Sequence, residues 1–125
     1  MRRTEPGFTL IELLIVMAII GTLLTIAVPR YFRALEQARE TVLKQDLAIL
    51  REAIDKHYAD LNEYPETLLT LVEKKYVREV PVDPFTKASD TWTLVPSDDP
   101  DHAGVRDLHS GADGNGADGT PFASW

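Results

Sequence analysis

Cysteine is absent from this 125-residue chain, which excludes disulfides, thiolate metal sites and a cysteine nucleophile. The compartment stays open, because exported domains can be held together in other ways. Positive charge is scarce: 13 Lys+Arg face 20 Asp+Glu, a formal net charge of −7. The deficit is steepest late, where Asp83 to Trp125 carries 8 acids against 2 bases, Lys87 and Arg106, for a local net of −6. Such a surface repels phosphate backbones, so a nucleic-acid partner is not expected. Enzyme signatures are missing as well. There is no Gly-x-Ser-x-Gly, no phosphate loop and no His pair at helical zinc spacing, and no catalytic residue is assigned. His57 reads as a packing or surface residue, while His102 and His109, with Asp101 and Asp107 nearby, leave a metal or acid–base reading open. Internal repeats and long linkers are also lacking, and the length suits one small domain rather than a multidomain enzyme.

Charge is almost missing between Phe8 and Val28, where Glu12 is the only ionised side chain in 21 residues. About 20 apolar residues in a helix cross the roughly 30 Å of bilayer hydrocarbon, so this segment is long enough to span. Pro29 to Trp125 leaves about 97 residues, enough for one modest core. Arg2 and Arg3 ahead of an apolar run superficially resemble a secretory signal. The run is too long for an ordinary signal core, however, and no small-x-small cleavage site closes it before Pro29, Arg30, Tyr31 and Phe32. A charge deep in a bilayer costs about 2.5–3.5 kcal/mol on insertion scales. Glu12, about one turn inside, is therefore either a tolerated interfacial carboxylate or a residue with a partner.

The string GFTLIELLIVMAIIGTLLTIAVP, Gly7 to Pro29, resembles the class III signal of type IV pilins and type II secretion pseudopilins. The resemblance implies a leader over residues 1–7, cut after Gly7 by a prepilin peptidase that then methylates the new N-terminus at Phe8. It makes Glu12 the assembly glutamate, and Gly21 and Pro29 the helix-perturbing residues of a segment that melts when subunits pack. A cationic amine at Phe8 would pair with Glu12 of a neighbouring subunit in an apolar medium, where opposite charges attract strongly. That pair would favour one axial register, and removing one partner would leave a costly unpaired charge.

Helical periodicity continues beyond Val28, with Tyr31, Leu35, Ala38, Val42, Leu43, Leu47, Leu50, Ile54, Tyr58 and Leu61 recurring at spacings of three and four. Phe8 to Leu61 would extend about 80 Å as one helix, a membrane half over residues 8–28 followed by an amphipathic stem. A soluble coiled coil fits poorly, because the first half is apolar all round. Pro29 lacks the N–H for the Thr25 carbonyl and is expected to interrupt the helix. Gly21 weakens the stretch before it by about 1 kcal/mol relative to Ala. Asn62 and Tyr64-Pro65 end the helix, Thr67 to Lys75 reads as a short second one, and Thr91–Val95 and Val105–His109 read as an antiparallel hairpin turning through Asp98 to Asp101. The string LVEKKYVREVPVDPF, Leu71 to Phe85, followed by two strands, resembles the major pseudopilin of type II secretion, whose loop carries Pro-x-Asp-Pro and an aromatic. Here those are Pro81, Asp83, Pro84 and Phe85. The expected fold is α+β and pilin-like: a long N-terminal helix packed on a small head with a short helix and a two- to three-stranded antiparallel sheet.

Ser110 to Thr120 reads SGADGNGADGT, in which Asp113, Asn115 and Asp118 offer oxygen ligands of the kind hard cations take from flexible loops. It is not an EF-hand: Asp118 stands where that loop needs glycine, and no terminal glutamate follows. On the residues alone, either a solvated turn or a calcium loop is compatible. The resemblance implies calcium, because the major pseudopilin family carries a Ser-x-Gly-Ala-Asp-Gly loop holding one Ca²⁺, shortened here to Ser110-Gly111-Ala112-Asp113-Gly114. Asp113, Asp118, Asn115 and the Ser110 carbonyl are its expected ligands. The resemblance further implies an inner-membrane, single-pass subunit with a periplasmic head at residues 29–125. It would polymerise into a homo-oligomeric helical filament, with an assembly platform and minor pseudopilins as partners. A type IV pilus subunit, or a monomeric anchor displaying a calcium-binding module, are the alternatives.

Overall fold

The computed structural model describes residues 5–125; Arg2 and Arg3 of the expected leader lie outside them. Helix α1 runs over Leu10–Leu61, 52 residues, and includes Pro29. The expected interruption at Pro29 is therefore not found. A proline withdraws a single N–H from the helical ladder, and a helix extending many turns on both sides keeps its remaining bonds. By internal contacts the chain divides into Met1–Glu36 and Gln37–Trp125. In the described part of the first unit nearly every side chain is exposed, with only Leu35 half-buried.

The second unit has a core. Leu43, Leu47, Leu50 and Ile54 repeat along one stripe of α1 and are buried, joined by Ala53 and His57. Each fully buried Leu or Ile removes apolar surface from water worth about 1.5–3 kcal/mol. Tyr31, Ala38, Val42 and Leu61, placed on the same face by spacing, are exposed instead. Val42 neighbours Leu43 and cannot share its stripe at 100° per residue. Asn62 adopts φ 54°, and its N–H donates to the Tyr58 carbonyl at 2.8 Å, stopping the helix with a left-handed residue.

Helix α2, Leu68–Glu73, starts at Thr67, whose Oγ1 accepts from the Thr70 N–H. It contributes Leu68 and Leu71 to the core. Strands β1 (Thr93–Pro96) and β2 (Val105–His109) pair antiparallel with Leu94 opposite Leu108 and Val95 opposite Asp107. The sheet has two strands, the lower of the expected numbers. Its register slips between Val95 and Pro96, where proline has no N–H for the ladder. Trp92 precedes the strand rather than standing in it; its ring is buried and its Nε1 donates to the Pro81 carbonyl at 3.0 Å. A 3₁₀ turn, Phe122–Ser124, brings Phe122 back into the core. Hydrophobic periodicity could not mark this turn, because it depends on one aromatic in a glycine-rich stretch.

Candidate functional site

Residues 5–28 are exposed throughout, and the first part of α1 is long and apolar enough to cross a membrane. Phe8 is 89% exposed. A Cβ built at Gly7 or at Gly21 would meet nothing within 4 Å, and neither residue has a left-handed backbone. Neither glycine is sterically required by the fold of this chain.

Glu12 is not solitary. Its Oε2 accepts from the Thr9 N–H at 3.2 Å, while its own N–H donates to Thr9 Oγ1 at 3.2 Å. This reciprocal pair is a capping box, closing the amino end of α1. Thr9-Leu10-Ile11-Glu12 carries the sequence signature of that box. A monomeric helix therefore does have a use for Glu12. Two more hydroxyls turn inward on the backbone, Thr22 Oγ1 donating to the Ala18 carbonyl at 2.8 Å and Thr25 Oγ1 to the Thr22 carbonyl at 2.6 Å. With those hydroxyls satisfied, the outer surface of the segment is apolar apart from the cap.

At the other end, the proposed ligand residues sit in a loop that the head already holds. Ser110 is fully buried, and its Oγ donates to Asp83 Oδ2 at 2.6 Å. Asp83 Oδ1 accepts from the Phe85 N–H at 2.9 Å, so the Pro81–Phe85 loop and the start of the acidic segment share one buried carboxylate. The Ser110 side chain is thereby committed within the head and is not free for a cation. Gly111 lies so close to Thr91 that a Cβ there would overlap the Thr91 carbonyl oxygen. The Gly116 N–H donates to the Thr120 carbonyl at 2.8 Å, and the Phe122 N–H to the Gly114 carbonyl at 3.1 Å. Phe122 stacks on Phe85 at 4.2 Å between ring centroids and meets Trp125 edge-on.

Helix α1 grips this segment at three points. Glu40 Oε1 accepts from the Ala117 N–H at 2.7 Å, the Lys44 ammonium lies 4.8 Å from the Trp125 ring centroid, and Arg51 donates to Asp107, to the Leu108 carbonyl and to the Trp125 carbonyl. Burial works against ionisation of Asp107, but the Leu108 N–H and the Arg51 guanidinium outweigh it and hold its carboxyl below the ordinary range. Sequence reading missed Arg51, because its contact with Asp107, 56 positions away, leaves no local pattern; Asp83 was marked as a loop residue, but its bond to Ser110 was not foreseen.

Asp113, Asn115 and Asp118 are all exposed. Asp118 Oδ1 accepts from the Thr120 hydroxyl at 2.6 Å and the Thr120 N–H at 3.0 Å, which lowers its pKa and keeps it ionised. Its other oxygen and the Asp113 carboxylate remain for a ligand. This is an all-oxygen donor set suited to a hard cation. Among the described residues no three Asp, Glu or His groups lie together as a metal cluster, so any bound cation would depend on two carboxylates supplemented by carbonyls. His102 and His109 are not brought together: His102 Nδ1 lies 2.8 Å from Asp99 Oδ2, whereas His109 Nδ1 faces the Trp125 carbonyl.

The family model described as the prokaryotic N-terminal methylation motif matches residues 2–28. Type II secretion system core protein G of Escherichia coli (strain K12) is 31% identical, covering 100% of this chain and 95% of that protein. Its namesake in Vibrio cholerae is 32% identical over 94% of this chain and 88% of the relative. That of Pseudomonas aeruginosa is 35% identical over 67% and 70%. No solved structure matches the chain. An exposed apolar helix headed by a methylation motif, running into an α+β head whose relatives share its length, places this chain in the type II secretion system core protein G family.

Proposed function

We propose that this chain is the structural subunit of a type II secretion pseudopilus, anchored as a single-pass membrane protein until it polymerises through α1. The observation that carries this is an apolar helix with no buried residue before its stem, grown from the same helix that organises the head. Apolar surface on that scale calls for lipid or for copies of itself. The leader is removed after Gly7, Phe8 is methylated, and the open space around Gly7 leaves it accessible to a peptidase. In the filament the Phe8 amine pairs with Glu12 of a neighbour, while the Gly21–Pro29 stretch, weak in helix propensity, extends. The head faces the periplasm, and assembly proceeds with a membrane platform and minor pseudopilins. Mass spectrometry of the membrane-extracted protein, co-produced with a prepilin peptidase, is expected to show loss of Met1 to Gly7 and gain of one methyl group. An intact leader would overturn the reading.

Calcium belongs to the same proposal. Asp113 and Asp118 supply the two carboxylates, with Asn115 and the Ser110 carbonyl beside them, and the cation relieves repulsion in a segment that already folds back on α1. Phe122 and Trp125 anchor that segment by ring packing, and calcium would add to that hold. Free calcium at 100 times its dissociation constant adds about 2.7 kcal/mol. The full chain in detergent should melt higher in calcium than in chelator, and Asp113→Ala should lose most of the difference. An unchanged melting temperature in chelator would mark an ordinary solvated loop.

A further inference from the structure

For a chain with a net charge of −7, the stretch just past the apolar run is out of character. From Leu13 to Leu35, 23 residues, the only charged side chains are Arg30 and Arg33. Both are exposed, and neither lies in an ion pair among the described residues. Tyr31 and Phe32 between them are exposed as well, and meet edge-on with ring centroids 5.7 Å apart. Arg30 and Arg33, three residues apart in helix α1, share one face, where like charges repel. An anion seated between them removes that repulsion.

Position decides which anion meets them. At about 1.5 Å per residue, Arg30 and Arg33 stand about 3 and 7.5 Å past Val28, where the apolar run ends. The polar layer of a bilayer is about 5–7 Å deep on each side of its hydrocarbon. A span ending at Val28 therefore sets both guanidinium groups among lipid phosphates. Tyr31 is one of the amphipathic aromatics that settle at this depth. We propose that Arg30 and Arg33 bind the phosphate of an anionic phospholipid in the leaflet on the head side. Guanidinium groups hold phosphate oxygens through paired, charge-assisted hydrogen bonds. A zwitterionic lipid offers the same phosphate but carries its own cation, so a net-anionic headgroup is preferred. The inference rests on the proposed membrane anchoring and adds to it a choice of lipid.

The test uses the full chain in vesicles of equal parts phosphatidylcholine and phosphatidylglycerol with matched acyl chains. Flotation reports insertion, and native mass spectrometry of the released protein counts the lipids it retains. The native chain is expected to float and to hold phosphatidylglycerol about tenfold over phosphatidylcholine, in line with the attraction of two arginines to an anionic surface. Arg30→Gln combined with Arg33→Gln should float equally and retain the two lipids in their bulk ratio, since both side chains lie outside the core. Excess inorganic phosphate should leave the enrichment in place. A native chain that floats without enrichment, or a double variant that keeps it, would overturn the proposal and leave the anchor standing. Displacement of the lipid by inorganic phosphate would overturn it in favour of a soluble anion. A chain that does not float at all would overturn the anchor and the proposal together.

Discussion

In the proposed filament Glu12 would face a competition between two partners, the Thr9 N–H of its own helix and the Phe8 amine of a neighbouring subunit. The cap requires only an acceptor oxygen, whereas the intersubunit pair requires a charge. Substitution separates these demands. Glu12→Gln keeps the oxygen facing Thr9 and removes the charge; Glu12→Ala removes both and leaves the Thr9 N–H without its side-chain acceptor. If the ion pair sets the register, both variants insert normally and both lose filament yield on electron microscopy of sheared material. If the cap alone matters, Gln assembles like the native residue and Ala does not. Asp83 is a buried carboxyl held by other means, the Ser110 hydroxyl and the Phe85 N–H.

Among the elements, α1 carries the main conflict between local preference and use. Gly21 costs helix stability of about 1 kcal/mol relative to Ala, yet nothing crowds its position. In the proposed filament such a residue would let the helix yield as subunits pack. Gly21→Ala should therefore raise the helicity of the detergent-solubilised chain by circular dichroism while reducing filament assembly. Unaltered assembly would show that the helix need not yield there. The long helix, the short helix and strand β2 were legible because each rests on local rules: apolar period, an Asn stop, a threonine cap, and alternation along Val105–His109. Pro29 was misjudged by the same rules, since propensity describes the local cost and not the cooperative ladder that absorbs it. In the sheet, Thr91 and Trp92 were assigned to β1, but Trp92 is held instead by the Pro81 carbonyl, a bond outside any strand pattern.

For the whole molecule, the acidic balance gives a distinctive pH response. Asp99, bonded to His102, and Asp107, bonded to Leu108 and Arg51 against its burial, have lowered pKa values. Their stabilisation is present above the unfolded carboxylate range and is lost as pH falls through their lowered folded values. Asp46 behaves oppositely, raised first by burial and then by the charge of Asp83. Its penalty is fully present above its raised folded value and is relieved as pH falls through it. A melting profile should thus rise slightly on mild acidification before it drops, and Asp46→Asn should remove the rise while leaving the drop. A monotonic fall in the native protein would show that Asp46 is not coupled to folding. The candidate calcium loop was legible as a set of oxygen ligands; its attachment to Glu40, Lys44 and Arg51 was not, because those contacts join distant parts of the chain.

That attachment has a consequence in time. Arg51 must wait for Asp107, 56 residues later, and for Trp125, 74 residues later, before its hydrogen bonds can close. Helix α1 forms from neighbours within a few residues, whereas loops of that span close late and slowly. A chain emerging from the ribosome therefore presents Leu43, Leu47, Leu50 and Ile54 as an apolar stripe that stays partly uncovered until the segment around Phe122 and Trp125 has followed.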